Sequence, residues 1–387
     1  VEASDAAQAQ RAIHQTFQLS KIGGGRATHP TGLDVVILGF GEIGRTLGGL
    51  LVRRKAGRND APVRVVGVID RSGFVFDAHG LKPKKLAELS SWKAAGKPFA
   101  QAAGGQSAAP SEAVAFFARH ALHRPVLVDV TAEETGPVLV GALQAGMDVV
   151  LANKRPLSGA RSERDHLLAV AEAHGRRVRF EATVGAGLPI LDTYRKLVDS
   201  GDKVQKIEGC VSGTLGFLFT EINDGKPFSK ALRAAVQKGF TEPDPRDDLS
   251  GADVARKALI LGRLLGFTGE PGDVSVESLV PEEARGLSKD QFLEGLERWD
   301  PLWTQRAAAA RSKQAVLRYV ASVTRSKIRV GLQAVDGATP FAALNGTDNQ
   351  IAFTTARYRR PLVITGAGAG LAVTAGGVLN DILELGN

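Results

Sequence analysis

The sequence predicts an α/β protein in which a parallel sheet is followed by a mixed α/β unit. Three observations carry that prediction. Runs with the pattern of buried strands alternate with helical runs through the first part of the chain. A G-x-G-x-x-G turn joins the first strand to the first helix. The length, 387 residues, corresponds at roughly 150 residues per domain to two or three structural units.

Composition narrows the class. The hydrophobic fraction of 43% and charged fraction of 23% are those of a globular chain. No run approaches 18 uninterrupted apolar residues, since the best candidate, 113–130, is broken by Arg119, His120, His123 and Arg124, so no membrane partner is expected. The net charge is +8, but the basic residues are scattered and not interleaved with aromatics, so no nucleic acid is expected either. The single cysteine, Cys210, rules out an internal disulfide or a multi-cysteine metal site and fits a reducing, cytoplasmic setting. All seven histidines lie at or before His174, so chemistry beyond that point must use lysines, carboxylates or backbone groups.

Taken in order, residues 4–20 place Ile13, Phe17 and Leu19 at helical spacing and run into a glycine-rich linker, 23–32. The chain starts at Val1 without a charged and apolar leader, which reads as a trimmed N-terminus and leaves organelle targeting open. A buried strand is expected at 34–40, a helix at 41–54 and a second strand at 63–70, completing one β–α–β unit. Residues 72–110, rich in Lys, Ala and Gly, read as a loosely packed insertion. Strands at 126–131 and 148–153 flank a helix near 137–146 and continue the alternation. The second unit then reads as helix 161–174, strand 177–184, helix 188–200 and strand 204–213, with helices after it. The end, 361–385, is strand, glycine loop and helix. The expected division is 1–32 (helix and linker), 33–156 (dinucleotide-binding domain), 157–355 (catalytic and dimerisation domain) and 356–387 (strand, loop and helix packing back on the dinucleotide-binding domain).

The glycine turn, GFGEIG at 39–44, has the context of a Rossmann-type site. Gly39 permits the tight turn, Gly41 lets the backbone approach a pyrophosphate at the helix N-terminus, and Gly44 allows close helix–strand packing. Asp70 ends the second strand, where a carboxylate would bind the ribose hydroxyls of NAD. Arg71 follows and would meet the extra phosphate of NADP, so both cofactors stay open.

Ser250 and Asp253 mark a helix start, and Val254, Ala258, Leu261, Leu264 and Leu265 form its apolar stripe. Lys257 stands inside that stripe, with Asp253 one turn earlier to hold it. Burial disfavours the charged form of a lysine, which suits a proton-transferring amine; a snorkelling lysine paired with a capping aspartate fits the helix equally well. The preceding segment, EPDPRDD (242–248), places four carboxylates in seven residues, stiffened by Pro243 and Pro245. As a solvated loop they would be ordinary, but beside a core-facing lysine they suit the ammonium of an amino-acid substrate. Lys154 adds a second amine at the carboxyl end of a strand, where open α/β sheets bind ligands.

These residues resemble the homoserine dehydrogenases over about residues 34–387. The motifs are GFGEIG, LANKRP (151–156), FEATVGAGLPI (180–190), IEGCVSGT (207–214), GFTEPDPRDDLSGADVARK (239–257) and GAGAGLAVTAGGV (366–378). The resemblance implies reversible interconversion of L-homoserine and L-aspartate 4-semialdehyde with NAD or NADP, on the route from aspartate to threonine and methionine, by a homodimer built through the second domain. It implies that Lys257 transfers the proton and Lys154 is a second active-site lysine. It also implies that Glu242, Asp248, Asp253 and Thr214, with Gly213 beside it, bind homoserine or orient the lysines. Gly41, Glu42, Ile43, Thr131, Ala132 and Gly370 would contact the cofactor. Glu181 with the carbonyls of Val184, Ala186 and Leu188 would hold a structural Na+ or K+, and the alternate spacing of those carbonyls matches one strand edge. Residues 11–21 resemble the junction after the regulatory region of bifunctional aspartokinase–homoserine dehydrogenases, which implies the dehydrogenase portion of a fused polypeptide.

Two rivals follow from the residues. A cysteine-dependent semialdehyde dehydrogenase would use Cys210 as nucleophile, although no histidine follows it to act as base. A catalytically silent NAD(P)-binding protein would have no use for two amines with matched carboxylates.

Overall fold

The computed structural model describes residues 32–54 and 62–386, with Ala9 and Ile13 as isolated helical positions. The helix and linker expected over the first 32 residues otherwise lie outside the described residues. The chain forms two compact units, one of 1–157, 162–183 and 371–387, the other of 158–161 and 184–370.

The first unit is built on a seven-stranded sheet of β1 (Leu33–Leu38), β2 (Val63–Asp70), β3 (Gly73–Phe76), β4 (Gly105–Gln106), β5 (Val126–Asp129), β6 (Asp148–Leu151) and β7 (Val178–Arg179). Their order is β4-β3-β2-β1-β5-β6-β7. Strands β2, β1, β5, β6 and β7 are parallel, and β3 and β4 extend the β2 edge in antiparallel fashion. Every residue of β1 is buried, as expected of a strand covered on both faces. Its one charged residue, Asp34, is neutralised by Arg64 from β2 at 2.8 and 3.0 Å and accepts from the His123 N–H. Helices α1 (Glu42–Arg53), α2 (Pro83–Ala94), α3 (Pro110–Ala118), α4 (Gly136–Gln144) and α5 (Arg161–Ala173) make the connections. The order reverses between β1 and β5, so the loops after these strands flank the switch point where doubly wound sheets bind ligands.

The structure corrects three expectations here. Residues 72–110 are ordered: Phe74, Leu86, Leu89 and Phe99 are buried anchors for β3, α2 and the turn Phe99–Gln101. The strand expected over 177–184 is only Val178–Arg179, followed by a 3-10 turn at Glu181–Thr183, yet its pairing with β6 keeps 162–183 in the first unit. The C-terminal segment divides. Its strand belongs to the second unit, and the final helix (Leu371–Gly386) joins the first through Ala375, Val378, Ile382 and Leu385 in the core with Leu47 and Leu51 of α1.

The second unit is built on β8 (Val204–Cys210), β9 (Ser275–Val276), β10 (Ala315–Val323), β11 (Ile328–Asp336), β12 (Asp348–Thr355) and β13 (Leu362–Ala367), ordered β13-β12-β8-β10-β11-β9. All pairs are antiparallel except β9 with β11. Its helices include α6 (Ile190–Asp199), α7 (Gly213–Asn223), α8 (Phe228–Gln237), α9 (Pro245–Leu249), α10 (Ala252–Leu264) and α11 (Asp300–Arg311). Helices α7, α10 and α11 pack on β10, burying Leu215, Phe219, Leu259 and Trp303, with Trp303 stacked on Phe228.

Candidate active site

In the first unit, the loop after β1 shows why three glycines are needed. Gly39 adopts φ 94°, and a Cβ there would lie 2.8 Å from the Thr131 methyl. A Cβ on Gly44 would lie 2.1 Å from the Gly39 carbonyl oxygen, so helix and loop touch directly. Gly41 has nothing within 4 Å of the same position. Loop and helix are therefore tightly built on their inner side and open at Gly41, at the N-terminus of α1, where partial positive charge favours a phosphate. Glu42 is exposed and Ile43 half-buried as the first residues of that helix. These residues fit a dinucleotide.

A network that sequence reading missed lies across the switch point. Asp129, buried at the end of β5, accepts from the Thr131 N–H and hydroxyl at 2.9 and 2.7 Å, from Thr135 Oγ1 at 2.5 Å and from Asn153 Nδ2 at 3.0 Å. Asn153 also donates to the Glu133 carbonyl at 2.8 Å, while its Oδ1 accepts from the Arg155 N–H. The loop bearing Thr131 and Ala132 is thus tied to the loop bearing Lys154. The available signal was an aspartate ending a strand and an asparagine directly before the lysine. At the end of β2, Asp70 accepts from the Ser72 N–H at 2.7 Å and pairs with Lys93 Nζ at 2.5 Å, while Arg71 is exposed.

In the second unit, α10 and the end of β8 bring the other group together. Lys257 Nζ lies 2.8 Å from Asp253 Oδ2 on its own helix and donates to the Val211 carbonyl at 2.7 Å. The lysine side chain is 12% exposed. Gly251, at φ 75°, is the N-cap position, where Tyr319 Oη would lie 2.0 Å from a Cβ, and Ser250 Oγ accepts from the Ala252 N–H at 3.2 Å. Asp253, in the first turn of the helix, carries the ion pair to Lys257. Leu264 and Leu265, expected in the apolar stripe, are only half-buried at its end, whereas Leu259 and Ile260 are buried.

The four carboxylates of 242–248 separate by role. Asp244 caps α9 through the Arg246 N–H and pairs with the Arg246 guanidinium, which holds its carboxyl below the usual range. Asp247 is exposed. Asp248 turns inward, accepting from Thr214 Oγ1 and from the Glu242 N–H, both at 2.8 Å. Burial pushes its carboxyl upward, against the two hydrogen bonds. Ser212 caps α7 by accepting from the Leu215 N–H, and Gly213 sits where a Cβ would lie 3.1 Å from the Thr347 carbonyl. An ammonium fixed by one carboxylate and one carbonyl, beside an oriented carboxylate and a helix N-terminus, can move a proton and bind a zwitterion.

The remaining expectations divide. Burial pushes the Cys210 thiol up to about 12, so the cysteine-nucleophile reading is not favoured. Gly370, at φ 121°, is exposed and is the last residue of the second unit. Glu181 is buried in the first unit. Val184, Ala186 and Leu188 open the second, but they form no strand edge, because the backbone turns at Gly185 and Ala186 with φ 76° and 56°. Among the described residues, no cluster of three or more His, Cys, Asp or Glu is placed to hold a metal. No helix among them is long and apolar enough to cross a membrane.

Two family models match. The homoserine dehydrogenase model covers residues 189–383, and the homoserine dehydrogenase NAD-binding-domain model covers 39–181. The chain is 38% identical over 389 residues to the chloroplastic bifunctional aspartokinase/homoserine dehydrogenase 1 of Zea mays, covering 98% of this chain and 40% of the relative. It is 42% identical over 252 residues to the homoserine dehydrogenase of Saccharomyces cerevisiae, covering 63% of this chain and 70% of that protein. A solved structure of a Candida auris protein of unknown function superposes with a TM-score of 0.82 at 34% identity, over 92% of this chain and 98% of that one. The chain spans about two fifths of the length of the bifunctional relatives.

Proposed function

The chain belongs to the homoserine dehydrogenase family, and from that premise we propose that it reversibly reduces L-aspartate 4-semialdehyde to L-homoserine with NAD(P)H, on the route to threonine and methionine. The observation that carries the proposal is the Lys257 ammonium, held between Asp253 and the Val211 carbonyl in the same unit as Thr214, Asp248 and Glu242.

When bound, the reduced nicotinamide supplies the hydride. The chain's residues do the rest. Gly39, Gly41 and Gly44 with the N-terminus of α1 would hold the pyrophosphate, and Thr131 and Ala132 would contact the dinucleotide. Lys257 gives the proton on Nζ to the oxygen on which charge develops; in the reverse direction the neutral amine takes the hydroxyl proton. Lys154 is the second lysine of this reading, and in the first unit its loop is fixed by Asn153. Asp253 orients Lys257, Asp248 and Glu242 take the substrate ammonium, and the Gly213–Thr214 turn donates to its carboxylate.

Three further elements come with this reading: a homodimer built through the second unit, a cytoplasmic location, and a structural Na+ or K+. The buried Glu181 carboxylate of the first unit is a hard donor of the kind such an ion takes. The test is the loss of reduced-nicotinamide absorbance with L-aspartate 4-semialdehyde, without phosphate or coenzyme A, in wild type and Lys257→Ala. Rapid oxidation that requires Lys257 supports the assignment. Tight dinucleotide binding without turnover in wild type overturns it in favour of a silent binding protein.

A further inference from the structure

We propose that Arg318, buried in the second unit, is a positioning residue for the substrate's carboxylate: it fixes the turn on which the Gly213–Thr214 segment is seated. This rests on the reading of that segment as the donor to the carboxylate, and it names the residue that sets the segment's position. Arg318 lies in β10 and is 4% exposed. Its hydrogen bonds all go to main-chain oxygens. Nε donates to the Phe341 carbonyl at 2.9 Å, Nη2 to those of Ala342 and Leu344 at 3.0 and 2.7 Å, and Nη1 to that of Leu317 at 3.2 Å. A guanidinium with no carboxylate partner is costly to bury unless its donors are satisfied. Here one 3-10 turn, Pro340–Ala343 with Leu344 after it, satisfies most of them. The apolar side of that turn is held separately, by Phe341 and Leu344 in a cluster with Cys210, Val320 and Ala352.

The chain that leaves this turn is the seat of α7. A Cβ on Gly213 would lie 3.1 Å from the Thr347 carbonyl oxygen, and one on Gly216 would lie 3.0 Å from that of Gly346. The first turn of α7 therefore rests on main chain, with no side chain between. Thr214 stands between those two glycines, its hydroxyl 2.8 Å from Asp248 Oδ1 and 2.5 Å from the Phe240 carbonyl oxygen. A shift of 346–347 moves Gly213 and Gly216 together, and with them the N–H groups at the start of the helix, where partial positive charge favours an anion. Lys257 is held by different groups, Asp253 on α10 and the Val211 carbonyl. Loosening the seat thus acts on carboxylate binding before it acts on proton transfer. Only a planar fork spans three carbonyls of one turn; a lysine at the same place is a point charge on a flexible stem.

Steady-state oxidation of L-homoserine by the full chain, in wild type, Arg318→Met and Arg318→Lys, tests this, with 4-hydroxybutyrate and 3-aminopropan-1-ol as competitive inhibitors. The first keeps the carboxylate of the substrate and lacks its ammonium, and the second does the reverse. Arg318→Met is expected to raise KM for L-homoserine and the inhibition constant of 4-hydroxybutyrate by about tenfold, with 3-aminopropan-1-ol within about twofold and kcat within about threefold. Arg318→Lys should recover only part of the loss. Circular dichroism establishes that each variant is folded. Where an inhibitor binds too weakly to measure, the same contrast is read from KM for L-homoserine against KM for the dinucleotide. An unchanged KM in folded Arg318→Met, an equal weakening of both inhibitors, or full recovery in Arg318→Lys overturns the inference. Should Arg318→Met fail to fold, Gly216→Ala, whose methyl meets the Gly346 oxygen from the other side of the seat, decides on the same criterion. A wild type that oxidises no L-homoserine with either dinucleotide would instead overturn the reading of the site.

Discussion

The Lys257 ammonium donates to the main-chain carbonyl of Val211 at 2.7 Å, joining α10 to the residue that follows β8. With Asp253 on its own helix as the second partner, the amine is held before any substrate arrives.

Replacing that amine should therefore separate chemistry from binding. Lys257→Ala is expected to lower kcat by about 10²- to 10⁴-fold, while dinucleotide affinity in the first unit stays within about twofold. Asp253→Asn, which removes the orienting charge and keeps the amine, should lower kcat less and displace the pH profile of kcat. Steady-state kinetics across pH, with cofactor titrations, check both.

The glycine loop predicts a contrast between neighbouring positions. Gly44→Ala forces a methyl to 2.1 Å from the Gly39 oxygen and should cost about 1–3 kcal/mol or more of stability. Gly41→Ala meets nothing within 4 Å and should leave stability within about 0.5 kcal/mol. It should nevertheless weaken dinucleotide binding by about tenfold, since its methyl covers the surface a pyrophosphate approaches. Denaturant melts and calorimetric titrations of the two variants distinguish these effects.

Asn153→Ala should destabilise the first unit. It removes a donor from the buried Asp129 carboxylate and the partner of the Glu133 carbonyl, for about 1–3 kcal/mol. Chemical denaturation measures the loss. Because Asn153 precedes Lys154, kcat should fall as well in variant that remains fully folded at the assay temperature.

Cys210 predicts a pH dependence of stability. Its folded thiol is pushed up to about 12 from an ordinary 9.0 by burial. Below the ordinary value both states keep the proton and stability is complete. As pH rises from there towards the folded value the unfolded thiol ionises first, so stability falls by up to about 1.4 kcal/mol per pH unit. Cys210→Ala should flatten that part of the stability–pH curve and leave turnover nearly intact. Paired urea melts at pH 8, 9 and 10 read the slope, and a wild type alkylated rapidly by iodoacetamide at pH 8 would contradict the burial argument.

What the sequence determined by itself is what local periodicity and rigid motifs encode. The strand–glycine–helix unit at 34–54, the parallel alternation, the helix bearing Lys257 and its Asp253 partner were all legible, because strand and helix patterns repeat every two or 3.6 residues. Tertiary structure decided which groups meet across long separations. Of four neighbouring carboxylates, Asp248 turns towards Thr214 while Asp244 is taken by its own helix cap. Asp129 finds Asn153, Lys257 finds Val211, and Lys93, from a segment that looked loosely packed, occupies the carboxylate that seemed reserved for ribose. The physical reason is the same in each case: a buried polar group must be satisfied, and the partner that satisfies it is set by how distant segments pack rather than by its neighbours in the chain.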